Sequence, residues 1–142
     1  SKNTKDHTVF LSGFSLEKLN QLKLLTGLTE WCLPSRKVEM HIHAKSIAKQ
    51  IRDRVRSNQV QGRRKASEIL LLSGGEWTPH DLRRTGATMM GELGVMGEVI
   101  ERCLNHVEQN KLKRIYQRHE MKKEQAEAWQ LLGVEISHLL VE

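Results

Sequence analysis

A length of 142 residues, a 38% hydrophobic fraction and a formal net charge of +6 set the first limits on this sequence. The length and apolar content favour one folded domain and argue against disorder. The basic charge favours a polyanionic partner, nucleic acid first, and no apolar stretch reaches the ~18 residues of a membrane span. Together with the polar start of the chain, these features predict a cytosolic or nucleoid-associated protein.

The first predicted element is a β-hairpin cut off at its first strand. Residues Ser1 to Leu11 predict the end of one strand, a turn, and a second strand with Val9 and Leu11 on one face. A first helix is then predicted from Ser15 as N-cap to about Leu25, closed by Gly27. Its apolar residues recur at every third position and are expected to lie on the core, namely Leu16, Leu19, Leu22 and Leu25.

A second helix is predicted at roughly Ala44 to Arg56, with apolar residues on one face and basic residues that face solvent or DNA. The segment from Asn58 to Glu76 is predicted to be a loop with a small element inside it. Its basic run of Arg63, Arg64 and Lys65 could contact phosphates or belong to a solvated loop.

The second half of the chain is predicted to be almost entirely helical. Thr78 is expected to cap a helix that holds Pro79 in its first turn and runs to Glu92. Further helices are predicted at about 96–104, 111–119 and 122–132. The apolar positions of the C-terminal segment either pack on the same domain or dock on a neighbouring subunit, namely Ala126, Trp129, Leu132 and Ile136.

Cysteines, paired histidines and tryptophans all favour structural roles. Cys32 and Cys103 lack paired spacing, which predicts two buried thiols and no disulfide or zinc site. His41 and His43 form an HxH pair, but no third ligand lies nearby in sequence, so we expect no metal. The tryptophans are predicted to pack in the core or at an interface, namely Trp31, Trp77 and Trp129.

The start of the third helix is the first candidate for phosphate chemistry. If Pro79 begins the helix, His80 and Arg83 project from one face of its first turn, beside open backbone N–H groups. Helix N-termini favour phosphates, and an arginine can grip two phosphate oxygens at once. The structural alternative is that His80 caps the helix and Arg83 makes a surface ion pair.

Two more residues extend that candidate. His106 follows a predicted helix end, and Tyr116, the only tyrosine in the chain, stands ten residues later. A phenol near Arg and His side chains can attack phosphorus and form a covalent phosphotyrosine. The alternative for Tyr116 is a half-buried packing residue.

Three segments resemble the successive catalytic motifs of the tyrosine recombinase (phage integrase) family, especially integrases of satellite phages and genomic islands. They are "TPHDLRRTGAT", "ERCLNH" and "NKLKRIYQR". The opening "SKNTKDHTVFLS" is similar to that family's lysine hairpin, with Phe10 where proline is usual. The resemblance implies an α+β, mostly α, catalytic domain of the DNA breaking-rejoining enzyme fold with a small N-terminal β-hairpin.

Carried over residue by residue, the resemblance implies a role for each of five residues around one scissile phosphate. Tyr116 would be the nucleophile that forms a 3′-phosphotyrosyl link. Arg83 would bind the non-bridging oxygens, and His106 would donate a hydrogen bond to one of them. His80 would accept the tyrosine proton, and Lys2 would protonate the leaving 5′-oxygen.

The resemblance also implies the partners. They are double-stranded DNA at attachment sites, a homotetrameric synapse on that DNA and DNA-bending accessory proteins, with no metal, nucleotide cofactor or membrane. Lys5 is the alternative to Lys2 if the hairpin register shifts. Residues expected to contact DNA are Arg84, Lys5, Lys111, Arg63 and Arg64.

The sequence departs from the family pattern in one respect. The family uses two catalytic arginines, and the first lies on a helix before the lysine hairpin, where this chain has not yet begun. Residues 1–142 are therefore expected to be a C-terminal catalytic domain truncated at its N-terminal side and inactive alone. The rival interpretation is a non-catalytic DNA-binding module; a type IB topoisomerase shares the chemistry, but the motifs are closer to those of integrases.

Overall fold

Helices dominate the computed structural model, which describes residues 7–37, 39–56, 69–106 and 121–141. These ranges contain five helices, α1 (Gly13–Thr26), α2 (Ala44–Val55), α3 (Pro79–Glu92), α4 (Gly97–Cys103) and α5 (Lys122–Leu139). The only β pairing within them consists of two isolated bridges, Pro34 with His41 and Leu72 with Gly75. The mostly helical part of the predicted fold class is thus confirmed for the described residues.

The predicted N-terminal hairpin is not confirmed. Its first strand and turn lie in residues 1–6, outside the described residues. Residues 7–12, predicted as the second strand, have irregular backbone, and the side chains of Val9 and Leu11 are both about half exposed. This segment leads directly into α1.

The beginning of α1 is capped by Ser12 and not by Ser15, so the predicted N-cap is wrong. The Ser12 hydroxyl oxygen accepts the backbone N–H of Ser15 at 3.2 Å, which is the pattern of an N-cap side chain. The end of the helix is as predicted, since the Gly27 N–H donates to the carbonyl of Lys23 at 2.7 Å.

The prediction that the leucines of α1 lie on the core is also wrong, because no residue of this helix is buried and Leu25 is 84% exposed. The reason lies in the spacing. Each residue of an α-helix turns by about 100°, so three residues fall about 60° short of a full turn. Leu16 and Leu25 therefore lie on roughly opposite sides, and the leucines wind around the helix without forming one face.

The α2 helix has the predicted bounds and a cap that the sequence did not suggest. The Nδ1 atom of His43 accepts the backbone N–H of Lys45 at 3.1 Å. At the other end Val55 is 2% exposed, and the carbonyl of Arg54 accepts the N–H of Leu70 at 3.0 Å. This bond ties the segment before α3 to the end of α2.

The chain divides into two compact units. Unit 1 comprises Ser1–Gln21 and Thr85–Glu142, and unit 2 comprises Leu22–Arg84. The boundaries fall within α1 and α3, so His80 and Arg83 belong to unit 2 while His106 belongs to unit 1.

The core of unit 1 forms where α4 packs on α5 and on the last turns of α3. Its buried members are Met90, Val99, Ile100, Cys103, Ala128 and Leu132, and Trp129 and Ile136 pack against them. The packing role of Trp129 is therefore confirmed, and Trp129, Leu132 and Ile136 of the C-terminal segment pack on their own domain. Docking of the segment on a neighbouring subunit stays a prediction. In the described part of the chain, no helix has the length and apolarity to cross a membrane.

The last helix, α5, extends to Leu139, past the predicted end at Leu132. Gly133 lies inside the helix, where it is buried. A Cβ atom at this position would collide with the side chain of Ser12, and Gln130 accepts the N–H of Gly13 at 3.1 Å. Glycine is needed here for the close approach of the chain before α1.

The two cysteines differ in environment, so the prediction of two buried thiols holds only for Cys103. Cys103 is buried in the unit 1 core, whereas Cys32 is exposed. Burial raises the pKa of the Cys103 thiol to about 11, because an apolar environment disfavours the thiolate.

We expect iodoacetamide to alkylate Cys32 and to spare Cys103 while the protein is folded, because the thiolate is the reactive form and Cys103 is both protonated and covered. Mass spectrometry of the labelled chain measures this. In denaturant both cysteines should react, and equal labelling of the two in the folded chain would contradict the prediction.

We expect Gly133→Ala to lower the free energy of unfolding by about 1–3 kcal/mol, because the new methyl group overfills the contact with Ser12. Gly91→Ala is the matched control. It also lies inside a helix, but its Cβ would meet only Ile100 Cδ1 at 4.0 Å, so it should stabilise by roughly 0.5–1 kcal/mol. Urea unfolding of both variants measures the difference; a Gly133→Ala variant at least as stable as the parent would refute the close approach.

Candidate active site

The N-terminus of α3 is held by a reciprocal cap between Thr78 and Asp81. The backbone N–H and the hydroxyl of Thr78 both donate to Asp81 Oδ2, at 2.9 and 2.7 Å. The N–H of Asp81 donates to the Thr78 carbonyl at 2.9 Å. Pro79 fits the first helical position because that residue needs no N–H. The predicted start of α3 is confirmed.

This cap leaves the side chains of His80 and Arg83 on the exposed surface of the first turn. Since Asp81 and Thr78 satisfy the helix end, the alternative in which His80 caps α3 is wrong. Residues at i and i+3 lie on the same side of a helix, so His80 and Arg83 share one face beside the positive end of the helix dipole.

Electrostatics at this turn centre on Asp81. The side-chain and backbone hydrogen bonds from Thr78 hold the pKa of its carboxyl group below the ordinary value of 3.8, and the charges of Arg84 and His80 act in the same direction. Arg84 Nη1 lies 3.6 Å from Asp81 Oδ1. Asp81 thus stays ionised and offsets part of the positive charge, while Arg84 lies beside the His80 and Arg83 face.

His106 is placed by the turn that ends α4. Asn105 has a left-handed φ of 52°. The N–H of Asn105 donates to the Arg102 carbonyl at 2.9 Å, and the N–H of His106 donates to the Glu101 carbonyl at 3.0 Å. This pair of bonds is the Schellman motif, in which the residue after the helix end is left-handed. The His106 backbone is therefore fixed relative to α4.

The ring of His106 is paired with the same residue that holds its backbone. Nδ1 of His106 lies 2.6 Å from Glu101 Oε2, and both side chains are about half exposed. This pairing leaves the second ring nitrogen, Nε2, as the one available to a ligand.

Two histidines and two tryptophans of unit 2 have structural roles, namely His41, His43, Trp31 and Trp77. His43 caps α2, and His41 packs edge to face on Trp31 with ring centroids 5.1 Å apart. Trp77 Nε1 donates to the Leu70 carbonyl at 2.7 Å. Trp31, 37% exposed, is not a core residue. Among the described residues, no group of three or more His, Cys, Asp or Glu is placed to hold a metal.

The structure describes four of the predicted site residues, namely His80, Arg83, Arg84 and His106. It brings the first three together on α3, and it places His106 in the other unit. The other predicted residues lie outside the described ranges, namely Lys2, Lys5, Arg63, Arg64, Lys111 and Tyr116. The convergence of all these side chains on one phosphate stays a prediction.

Comparison with known proteins decides the family, because the model of the phage integrase family matches residues 1–123. The chain belongs to the phage integrase family. Prophage integrase IntA of Escherichia coli (strain K12) is 31% identical over 119 residues, which cover 82% of this chain and 24% of IntA. The chain thus spans about a quarter of that relative's length. No solved structure matches the chain significantly.

Members of the phage integrase family are tyrosine recombinases that act on DNA. Within this integrase domain, sequence reasoning missed Asp81, Glu101 and Asn105. The spacing of Thr78 and Asp81 is that of a capping box and was a usable signal. Asn105 follows a predicted helix end, and an asparagine at that place indicates a left-handed turn. The sequence contains no comparable signal for the role of Glu101.

We expect Asp81→Asn to destabilise this integrase domain at neutral pH. The loss of stability should be smaller at acidic pH. The folded-state pKa of Asp81 lies below its ordinary value of 3.8. The stabilisation is therefore fully present above that value and is lost as the pH falls through the folded-state pKa. The measurement is the thermal unfolding midpoint of the parent and of the variant from neutral to acidic pH. The difference between the two midpoints should decrease as the pH falls.

The control for that experiment is Thr78→Val, which removes only the hydroxyl donor to Asp81 and should shift the midpoint in the same direction by less. If the difference in unfolding midpoint between Asp81→Asn and the parent does not change with pH, the stabilising role of the ionised carboxylate is contradicted.

Proposed function

We propose that this chain is the C-terminal catalytic domain of a site-specific tyrosine recombinase, which integrates or excises a prophage or genomic island. The observation that carries the proposal is the first turn of α3. A capped helix N-terminus there presents His80 and Arg83 on one exposed face. Backbone N–H groups, the helix dipole and an arginine fork favour a phosphate at such a site.

In the proposed reaction the Tyr116 oxygen attacks the scissile phosphorus, and the bond to the 5′-oxygen breaks. His80 takes the tyrosine proton, and Lys2 gives a proton to the leaving 5′-oxygen. Arg83 and His106 stabilise the non-bridging oxygens as they gain charge. The product is a 3′-phosphotyrosyl link and a free 5′-hydroxyl, and rejoining reverses each step.

Because the phosphotyrosyl bond replaces a phosphodiester bond, the reaction needs no nucleotide as an energy source. Arg83, His106 and Lys2 would supply the charge stabilisation and the proton that a metal ion could otherwise provide. The substrate is double-stranded DNA at an attachment site, and the net charge of +6 favours it. Exchange between two sites requires four copies on the DNA, and DNA-bending proteins would assist the synapse. Basic residues proposed to contact the backbone are Arg84, Lys5, Lys111, Arg63 and Arg64.

Residues 1–142 alone are proposed to be inactive. The family pattern requires a further arginine ahead of the lysine hairpin, and the chain spans only 24% of IntA. The loss of one transition-state donor costs about 10²–10³ in rate.

The test uses the longer integrase that contains this chain and a nicked duplex carrying its attachment site. We expect the parent to form a covalent protein–DNA adduct that survives denaturation, Tyr116→Phe to form none, and Arg83→Ala to slow cleavage by about 10²–10³. Residues 1–142 alone should form no adduct.

The outcomes separate the candidate functions. If Tyr116→Phe still forms the adduct, Tyr116 is not the nucleophile. If the parent binds the duplex but forms no adduct, the chain belongs to a non-catalytic DNA-binding module.

A further inference from the structure

Glu101 contacts His106 through both its backbone and its side chain. Its carbonyl accepts the His106 N–H at 3.0 Å, and its carboxylate Oε2 lies 2.6 Å from His106 Nδ1. The first contact requires the left-handed turn at Asn105, which folds the chain back over the end of α4. One residue therefore fixes both the position of the backbone at His106 and the orientation of its ring.

The contact decides which ring nitrogen can serve a ligand. An ionised carboxylate only accepts hydrogen bonds, so Nδ1 must carry the hydrogen in this pair. In the neutral ring Nε2 is then a bare acceptor, which cannot donate to a phosphate oxygen. Only the imidazolium can hold Glu101 through Nδ1 and donate to a phosphate through Nε2.

The position of the Glu101 carboxylate is not explained by a contribution to folding stability or to DNA affinity. The His106 side chain is 46% exposed and that of Glu101 61% exposed, and ion pairs with such exposure contribute little to stability. A negative charge beside a DNA-facing residue also repels phosphates. Its placement 2.6 Å from Nδ1 does orient the ring.

We propose that Glu101 is a positioning residue of this recombinase, which holds the His106 ring so that Nε2 faces the scissile phosphate. This inference rests on the proposed function, in which His106 donates to a non-bridging oxygen. Glu101 itself does not touch the DNA and acts only through His106.

The first test compares cleavage by Glu101→Ala and Glu101→Gln in the longer integrase. We expect Glu101→Ala to lower the cleavage rate about 10- to 100-fold. A displacement of a catalytic group by about 1 Å can lower a reaction rate by about 100-fold. Glu101→Gln keeps an oxygen that can accept from Nδ1, so it should retain more activity. DNA affinity should stay equal or rise in both variants, because a negative charge is removed.

Glu98→Ala is the matched control. It removes the same charge from the same helix, but Glu98 pairs with Arg102 at 3.5 Å and not with His106. It should change DNA affinity as Glu101→Ala does and leave the cleavage rate unchanged. Equal loss of cleavage in Glu98→Ala and Glu101→Ala would show a general charge effect and overturn the proposal.

A double-mutant cycle separates this inference from the proposed function. Adding Glu101→Ala to His106→Ala should have no further effect on cleavage, because Glu101 acts through the ring. If His106→Ala cleaves like the parent, the proposed role of His106 fails and the inference fails with it. If His106→Ala is impaired but Glu101→Ala is not, or if the two losses multiply, only the inference is wrong.

The second test needs no cleavage and uses residues 1–142. Nitrogen-15 NMR of the His106 ring at alkaline pH should show the hydrogen on Nδ1 in the parent and a population with the hydrogen on Nε2 in Glu101→Ala. A parent ring with its hydrogen on Nε2 would overturn the pairing, and thermal unfolding of the variants verifies that they are folded.

Discussion

The packing of α4 against α5 is the constraint on which unit 1 depends. A helix of seven residues, Gly97–Cys103, is far below the ~12–15 residues at which isolated helices begin to persist. It exists because Val99, Ile100 and Cys103 are buried between α5 and the end of α3. Since α4 also ends in the turn that carries His106, apolar packing sets the position of a polar, half-exposed side chain.

Unit 2 positions His80 and Arg83 in a different way. The first turn of α3 is held by polar contacts of Thr78 and Asp81, with no buried residue of α3 before Met90. An ionised Asp81 in the middle of a basic turn limits the positive charge that His80, Arg83 and Arg84 present together.

The elements that could be predicted from the sequence are those with local signals. The bounds of α2, α3 and α4 follow from apolar periodicity and from turn residues such as Pro79 and Gly94. The role of Gly133 could not be predicted, because it depends on a contact with Ser12 more than a hundred residues away. His80 and Arg83 were found through spacing on one helix. Glu101 could not be found in this way. It lies five residues before His106, and the left-handed turn at Asn105 is what brings the two side chains together.

That turn also restricts how position 105 can vary. Asn105 adopts a φ of 52°, a region that costs most residues about 1–2 kcal/mol and that glycine and asparagine enter readily. The backbone itself therefore disfavours a β-branched replacement at this position. Natural variation at position 105 should follow the stereochemistry of a helix end, independently of the ligand that the neighbouring side chains bind.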